Sequence, residues 1–182
     1  FDGTDDGMAT PSINFTGTDK MTVWAGVRKL SDAATRAILE LSASSTAATN
    51  PGSFGIFGPR SVLADEYGFV LCGTTVTGFS ATPFVAPITN VLSVAYDLAG
   101  ATRADEVKPR VNSAIPTLTA SVDSMIAGTG NFGNYPLYIG RRNNASLPFN
   151  GRIYQLIIRG AASNAGQIAA TEAWVNAKAR AY

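Results

Sequence analysis

The sequence predicts an all-β fold, a sandwich of antiparallel strands closed by one C-terminal α-helix. Three observations lead to this prediction. Short apolar runs recur between Gly, Pro and Asn turn signals, some of these runs alternate with a period of two residues, and only the last segment has helical spacing. The sequence lacks the regular alternation of strands and helices that a parallel sheet requires. Short strands with frequent turns are typical of a sandwich or a barrel.

The first half of the chain contains four predicted strands. In the first, residues 21–28, apolar side chains fall on one face, as in a strand buried on one side: Met21, Val23, Ala25 and Val27. Apolar runs between turn signals predict strands at 37–41, 52–57 and 67–71. The segment 42–52 is a low-complexity loop of Ser, Ala, Thr, Asn and Pro.

The second half adds strands of similar length. These are predicted at 90–97, 107–112, 117–122, 137–140 and 152–159. The preceding segment 79–87 contains Pro83 and Pro87, which cannot donate a hydrogen bond to a neighbouring strand. We therefore expect this segment to be an edge strand or a loop.

A helix is predicted over about 164–180. Asn164 and Gln167 have the spacing of a capping box, in which each side chain binds the other residue's backbone N–H. Four residues then follow at helical spacing: Ile168, Thr171, Val175 and Lys178. Trp174 and Val175 are expected to pack against the sandwich, because a short isolated helix is unstable without tertiary contacts.

Length and charge limit the possible functions. The 182 residues suit one domain spanning 1–182, and a start at Phe1 rather than Met is compatible with a segment of a longer chain. A net charge of +1 gives no electrostatic basis for binding nucleic acid. No apolar run approaches the roughly 20 residues of a membrane span, so membrane insertion is not expected. Only 15% of residues are charged, which fits an extracellular or virion-borne protein.

Two residue counts narrow the chemistry further. The chain contains no histidine, which excludes a Ser-His-Asp or Cys-His nucleophile within it. Its single cysteine, Cys72, cannot form an internal disulfide and is expected to be a buried apolar residue.

Three stretches, in the same order along the chain, resemble one protein family. The opening Phe1–Met8, FDGTDDGM, resembles an "FDGxDD" first strand. Residues 20–28, KMTVWAGVR, resemble an "FTVSAWVK" strand. The segments LYIG at 137–140 and FNGRIYQLII at 149–158 resemble "LYIG…FNGRIDEVRIY". Together these motifs are similar to the laminin-G-like branch of the concanavalin A-like lectin/glucanase superfamily.

The resemblance implies a jelly roll of two curved antiparallel sheets with a C-terminal helix. The ending TEAWVNAK at 171–178 resembles laminin-G-like domains of bacteriophage structural proteins, found in tails or decorating capsids. A phage origin would place the chain on a virion.

Catalytic and phosphate-binding motifs do not fit this sequence. Hydrolases that share this fold place two glutamates about 5 Å apart on one strand, in ExDxE or ExDxxE patterns. No such pattern surrounds the four glutamates: Glu40, Glu66, Glu106 and Glu172. Gly128–Gly133 matches GxGxxG, but a predicted strand follows it where a dinucleotide site needs a helix. The sequence therefore predicts a protein that is not an enzyme.

Asp5 and Asp6 are candidate calcium ligands. Some superfamily members bind calcium, which takes six to eight oxygen ligands, and Asp97 or Asp123 could complete such a set in space. The alternative is that both aspartates accept hydrogen bonds from turn backbone. Calcium is thus a possible cofactor; no other is implied.

One loop region has the residue types of a sugar site. Recognition of a sugar needs an aromatic ring against its C–H face and donors for its hydroxyls. Both are offered by Asn131, Asn134, Tyr135, Arg141, Asn143 and Asn144. The same residue types are also common in ordinary turns.

Two functional hypotheses follow. The first is a non-catalytic, lectin-like module on a phage or another extracellular particle, which attaches to cell-surface glycans and gains strength from many copies. The second is a structural or decoration domain whose partner is another protein of the same virion. A large exposed apolar patch would favour the second hypothesis, whereas an open groove with an exposed ring would favour the first.

Overall fold

The computed structural model describes residues 1–43, 50–61, 64–120 and 126–182. Among these residues the larger sheet has seven strands, in the spatial order β1 (Met8–Ala9), β12 (Leu137–Ile139), β4 (Ala37–Leu41), β5 (Ser53–Phe57), β6 (Tyr67–Cys72), β7 (Val76–Thr82) and β10 (Thr117–Ala120). The smaller sheet has the order β13 (Gly151–Arg159), β3 (Lys20–Lys29), β8 (Ile88–Asp97) and β9 (Val107–Val111). A short pair is formed by β2 (Ile13–Asn14) and β11 (Asn134–Tyr135).

All strand pairs are antiparallel, and the main core lies between the two large sheets. The predicted inward face of β3 is confirmed, since its four alternating apolar residues are fully buried in that core: Met21, Val23, Ala25 and Val27. Phe54 of the larger sheet and Tyr96 of the smaller one meet with ring centroids 5.2 Å apart. The predicted sandwich with a C-terminal helix is confirmed.

The C-terminal helix, α2 (Ala165–Ala179), begins as the sequence predicts. Asn164 and Gln167 form the capping box, with hydrogen bonds of 2.9 and 3.1 Å. The helix covers the outward face of the four-stranded sheet at Gly26, where an added Cβ would come within 3.0 Å of Val175. A glycine is therefore required there for the helix and the strand to approach closely.

The prediction that Trp174 packs against the sandwich is wrong. Its side chain is 48% exposed, with Lys178 Nζ 5.7 Å from the ring centroid. The buried face of the helix is formed instead by Glu172, Val175 and Ala179. A buried glutamate was not expected, because its partners lie far away in the sequence.

The interpretation of residues 79–87 as an edge strand or a loop is also partly wrong. Phe79–Thr82 belongs to β7, which lies inside the seven-stranded sheet between β6 and β10. The strand ends immediately before Pro83, as the missing N–H requires. Of the predicted strand 117–122 the structure describes 117–120, and most of the predicted loop 42–52 lies outside the described residues.

Candidate functional site

The six residues predicted to bind a sugar fall into two groups separated by β12. Asn131, Asn134 and Tyr135 precede this strand, whereas Arg141, Asn143 and Asn144 follow it. The hydrogen bonds of the two groups go to different segments of the chain. Among the described residues no side-chain hydrogen bond joins the two groups, and their use as one binding surface stays a prediction.

Before β12, two of the three predicted side chains donate hydrogen bonds to the protein's own backbone, whereas Asn134 is exposed on β11. Asn131 Nδ2 donates to the Thr16 carbonyl at 2.7 Å, and Tyr135 Oη donates to the Pro51 carbonyl at 2.9 Å. The Tyr135 ring lies against Gly133, where an added Cβ would be 2.0 Å from the ring. These contacts fix the loop that leads into β11. No helix follows Gly128–Gly133, so the glycine-rich segment is a loop, as predicted.

The residues after β12 form a tight turn. Asn143 and Asn144 have φ values of 47° and 52°, which asparagine tolerates better than most residues. The guanidinium of Arg141 donates to the carbonyls of Asp5 at 2.9 Å and Ala145 at 3.1 Å. Its η nitrogens thus join this turn to the N-terminal segment.

The N-terminal acidic residues do not form the first strand that the family motif implies, because Asp2 makes only an isolated bridge with Asn150 and β1 starts at Met8. Carboxylate oxygens of Asp2, Asp5 and Asp6 lie within 4.8 Å of one another, and all three residues are exposed. Two of these carboxylates accept backbone hydrogen bonds, from Thr4 to Asp2 and from Asp2 to Asp6. Of the two predicted ligands, Asp6 thus accepts a backbone hydrogen bond as the turn alternative expects, and calcium binding stays a prediction.

Of the two further acidic groups considered for calcium, Asp97 does not belong to this cluster. Asp97 lies at the end of β8 and pairs with Lys20 Nζ at 3.1 Å. Asp123 lies outside the described residues.

A groove of about 570 Å³ follows the edge strand β9 and was not predicted. Its apolar lining comes from both sheets, the β9–β10 connection and α2: Phe79, Val107, Pro109, Ile115, Leu118 and Ile168. Charged side chains of both signs surround this apolar surface: Lys20, Asp97, Asp105, Lys108 and Arg110. This volume lies within the roughly 300–1,000 Å³ typical of small-ligand sites.

The charged groups of the groove differ in how they are paired. Lys20 Nζ contacts Asp19 at 2.9 Å and Asp97 at 3.1 Å, and these hydrogen bonds raise its pKa. Arg110 is bound to Glu172. Lys108 is exposed and forms no ion pair with any residue that the structure describes. Its ammonium group is therefore the donor most available to a ligand.

The backbone of β9 offers no free donor towards the groove. The Val107 N–H donates to the Arg103 carbonyl of the short helix α1 (Arg103–Glu106), and Pro109 has no N–H. The Val111 N–H donates to the Ala114 carbonyl at 2.9 Å. Hydrogen bonds that β9 donates to a ligand in the groove must consequently come from its side chains.

All four glutamates are buried, and each has its own donor. Glu66 accepts from the Ser61 N–H at 2.8 Å, and Glu106 from the Ala127 N–H at 2.7 Å. Burial raises the pKa of Glu106, which has no cationic partner at hydrogen-bond distance among the residues that the structure describes. Glu40 and Glu172 are held by arginines. These contacts give each glutamate a role in joining segments of the fold.

Sequence comparisons identify no relative. No protein-family model matches the chain. No curated protein matches it either. The structure also contains no helix, within its described ranges, long and apolar enough to cross a membrane.

Several solved structures share the fold of this chain. The CBM40 module of the Ruminococcus gnavus IT-sialidase, bound to α2,3-sialyllactose, has a TM-score of 0.60 at 14% identity, covering 94% of this chain and 96% of that one. The heptameric SAP-like pentraxin of Limulus polyphemus has a TM-score of 0.62 at 9% identity, covering 94% and 79%. Domains LG4-5 of the mouse laminin α1 chain have a TM-score of 0.60 at 11% identity, covering 87% of this chain and 40% of that one.

Identities this low establish the architecture alone. The predicted jelly roll is nevertheless confirmed by three proteins of different kinds that superpose over most of the chain. The protein has the concanavalin A-like jelly-roll fold.

Proposed function

We propose that this chain is a non-catalytic carbohydrate-binding module and that the groove along β9 holds the saccharide. The groove carries the proposal, because it combines an apolar surface with surrounding polar groups in a volume that fits a small saccharide. Sugars present both an apolar C–H face and hydroxyls, so both kinds of lining are needed. The similar CBM40 module, described as bound to sialyllactose, supports a saccharide as the ligand class.

Two parts of the proposal rest on the sequence. Presentation of many copies on a virion or another extracellular particle would multiply a weak single-site affinity. A calcium ion at Asp5 and Asp6 would stiffen the N-terminal segment without contributing to the groove, since neither residue lines it.

The structural or decoration role has less support. It predicts a large apolar patch, whereas the large exposed apolar side chains among the described residues lie on different segments: Met8, Leu30, Val85, Ile115, Ile126, Trp174 and Tyr182. Two of these segments, those of Ile115 and Tyr182, are joined by the 2.6 Å hydrogen bond between Ser113 and Tyr182. The saccharide hypothesis is preferred because the similar solved structures include a carbohydrate-binding module.

A glycan array with a tetravalent form of the protein tests the proposal. Ala162→Trp places an indole in the groove from an exposed position, and Lys108→Ala removes the unpaired ammonium group. We expect Ala162→Trp to abolish binding and Lys108→Ala to weaken it about tenfold, the value of one charge-assisted hydrogen bond. Ala169→Trp, on an exposed helix position outside the groove, is the matched control and should bind like the wild type.

Two results would contradict the proposal. If the folded tetravalent protein binds no glycan on the array, glycan binding is excluded at the sensitivity of multivalent display. Binding that survives Ala162→Trp but is lost in Tyr135→Ala or Arg141→Ala would move the site to the loops around β12. Repeating the array with a chelator tests whether calcium is needed.

A further inference from the structure

Two arginines lie directly opposite each other on the outward face of the four-stranded sheet. Arg28 of β3 is the antiparallel partner of Arg152 of β13, and both side chains are exposed. Side chains directly opposite on adjacent strands have Cβ atoms about 5 Å apart, and like charges in this position destabilise the pair. Neither arginine forms an ion pair with a carboxylate within the part of the chain that the structure describes.

The rest of this surface leaves the positive charge largely uncompensated. On β8, the other neighbour of β3, the residue opposite Arg28 is Thr89, which is neutral. The C-terminal end of α2 lies over Gly26, two residues before Arg28, and supplies about half a negative charge. That end is capped by Arg180, a third exposed guanidinium. Half a charge cannot offset two guanidinium groups, so the surface is cationic in a chain whose net charge is only +1.

An aromatic side chain lies on the same face. Tyr154 follows Arg152 by two residues, at the bulge of β13, and packs against the cluster of Trp24 and Val175 beneath α2. It is partly exposed, so a saccharide ring could contact it while an acidic substituent meets the arginines. Guanidinium groups bind carboxylate and sulfate oxygens through paired N–H donors, which a neutral sugar cannot match.

We propose that Arg28 and Arg152 form a second binding site, which takes a carboxylate or sulfate group carried by a saccharide. The site lies on β3 and β13, with β8 between it and the groove strand β9. It does not depend on the function proposed for the groove. An oxyanion between the two arginines would replace their repulsion by two charge-assisted contacts.

The test is an NMR titration that observes arginine Nε–Hε groups at low ionic strength. The probes are glucuronate, glucose 6-sulfate and glucose, which share a ring and differ in charge. We expect saturable shifts of the Arg28 and Arg152 signals with either anionic sugar and none with glucose. A response to only one of the anions would identify the preferred acidic group.

Variants separate this site from general charge attraction. Arg28→Gln should weaken glucuronate or glucose 6-sulfate binding about tenfold. Arg28→Lys keeps the positive charge but loses the paired N–H donors of the guanidinium, so its affinity should lie between those of the wild type and Arg28→Gln. Arg159→Gln removes an exposed cation at the other end of β13, outside both the groove and the proposed site, and should leave this binding unchanged. Unaltered affinity in Arg28→Gln, or equal unsaturable shifts of all exposed arginines, would overturn the proposal.

Discussion

A glutamate–arginine ion pair lies on the outward face of each sheet, but different structural elements cover the two pairs. On the four-stranded sheet the cover is the regular helix α2. Its Glu172 accepts hydrogen bonds from Arg110 Nε at 2.8 Å and from Ser93 Oγ at 2.6 Å. The helix is thereby tied to both β8 and β9 by one side chain.

On the seven-stranded sheet the cover includes the irregular turn after β12. Glu40 of β4 accepts from Arg142 Nε at 2.8 Å and from Ser42 Oγ at 2.9 Å. Arg142 Cζ also lies 5.3 Å from the centre of the Phe57 ring. The same glutamate–arginine–serine chemistry therefore fixes a turn in one place and a helix in the other. The exposure of the arginine determines how much stability is lost when each pair is broken. The Arg142 side chain is 18% exposed and the Arg110 side chain 31%.

The largest effect is expected from Glu40→Gln. The change leaves Arg142 without a compensating charge beneath its cover, and breaking a buried pair in this way costs about 3 kcal/mol of unfolding free energy. Urea denaturation measures the loss. Adding Arg142→Gln removes the uncompensated charge, so the double variant should regain much of the lost unfolding free energy. The double-mutant cycle then gives the coupling energy of the pair. A loss smaller than that of Glu172→Gln would contradict the ranking by exposure.

Glu172→Gln should cost less, about 2 kcal/mol at pH 7, because the freed Arg110 can be hydrated. The effect should also depend on pH. Burial alone would raise the pKa of Glu172, but hydrogen bonds from Arg110 and Ser93 outweigh it and hold this pKa below its usual 4.5. The native state therefore binds fewer protons than the unfolded state, and the stabilisation is present above pH 4.5 and lost as pH falls through the native pKa.

This pH dependence is measured by urea denaturation of wild type and variant between pH 7 and pH 3. The stability difference between them should narrow as the solution becomes more acidic. A constant difference would mean that the carboxylate charge of Glu172 does not hold the helix.

The smallest effect is expected from Trp174→Ala. The indole is half exposed, so its loss should change the unfolding free energy by no more than about 0.5 kcal/mol. Val175→Ala, one residue away and fully buried, should cost about 2 kcal/mol. Thermal or urea denaturation of the two variants compares the exposed and buried faces of one helix. Equal losses would mean that Trp174 also contributes to the packing of α2.

Local patterns allowed much of the fold to be predicted. The alternation in β3 and the capping box of α2 involve neighbouring residues, and both are found in the structure. The buried face of α2 was not predicted, because hydrophobicity favours Trp174 over Glu172. The partner that makes burial of Glu172 possible, Arg110, is 62 residues away.

The candidate site was harder to predict for the same reason. The loop residues around β12 have the composition of a sugar site, but Asn131, Tyr135 and Arg141 bind neighbouring backbone carbonyls. The groove joins distant segments, and no single stretch carries its pattern. Only Pro109, inside a strand-like run, could have marked β9 as an edge.

The absence of free outward N–H groups on β9 has a consequence for the protein at high concentration. An exposed strand edge normally invites another chain to extend the sheet, which leads to aggregation. Here one donor is missing at Pro109, and those of Val107 and Val111 are bonded within the chain. Crowded copies can therefore lie side by side without joining through this edge, and the groove beside it stays open to other molecules.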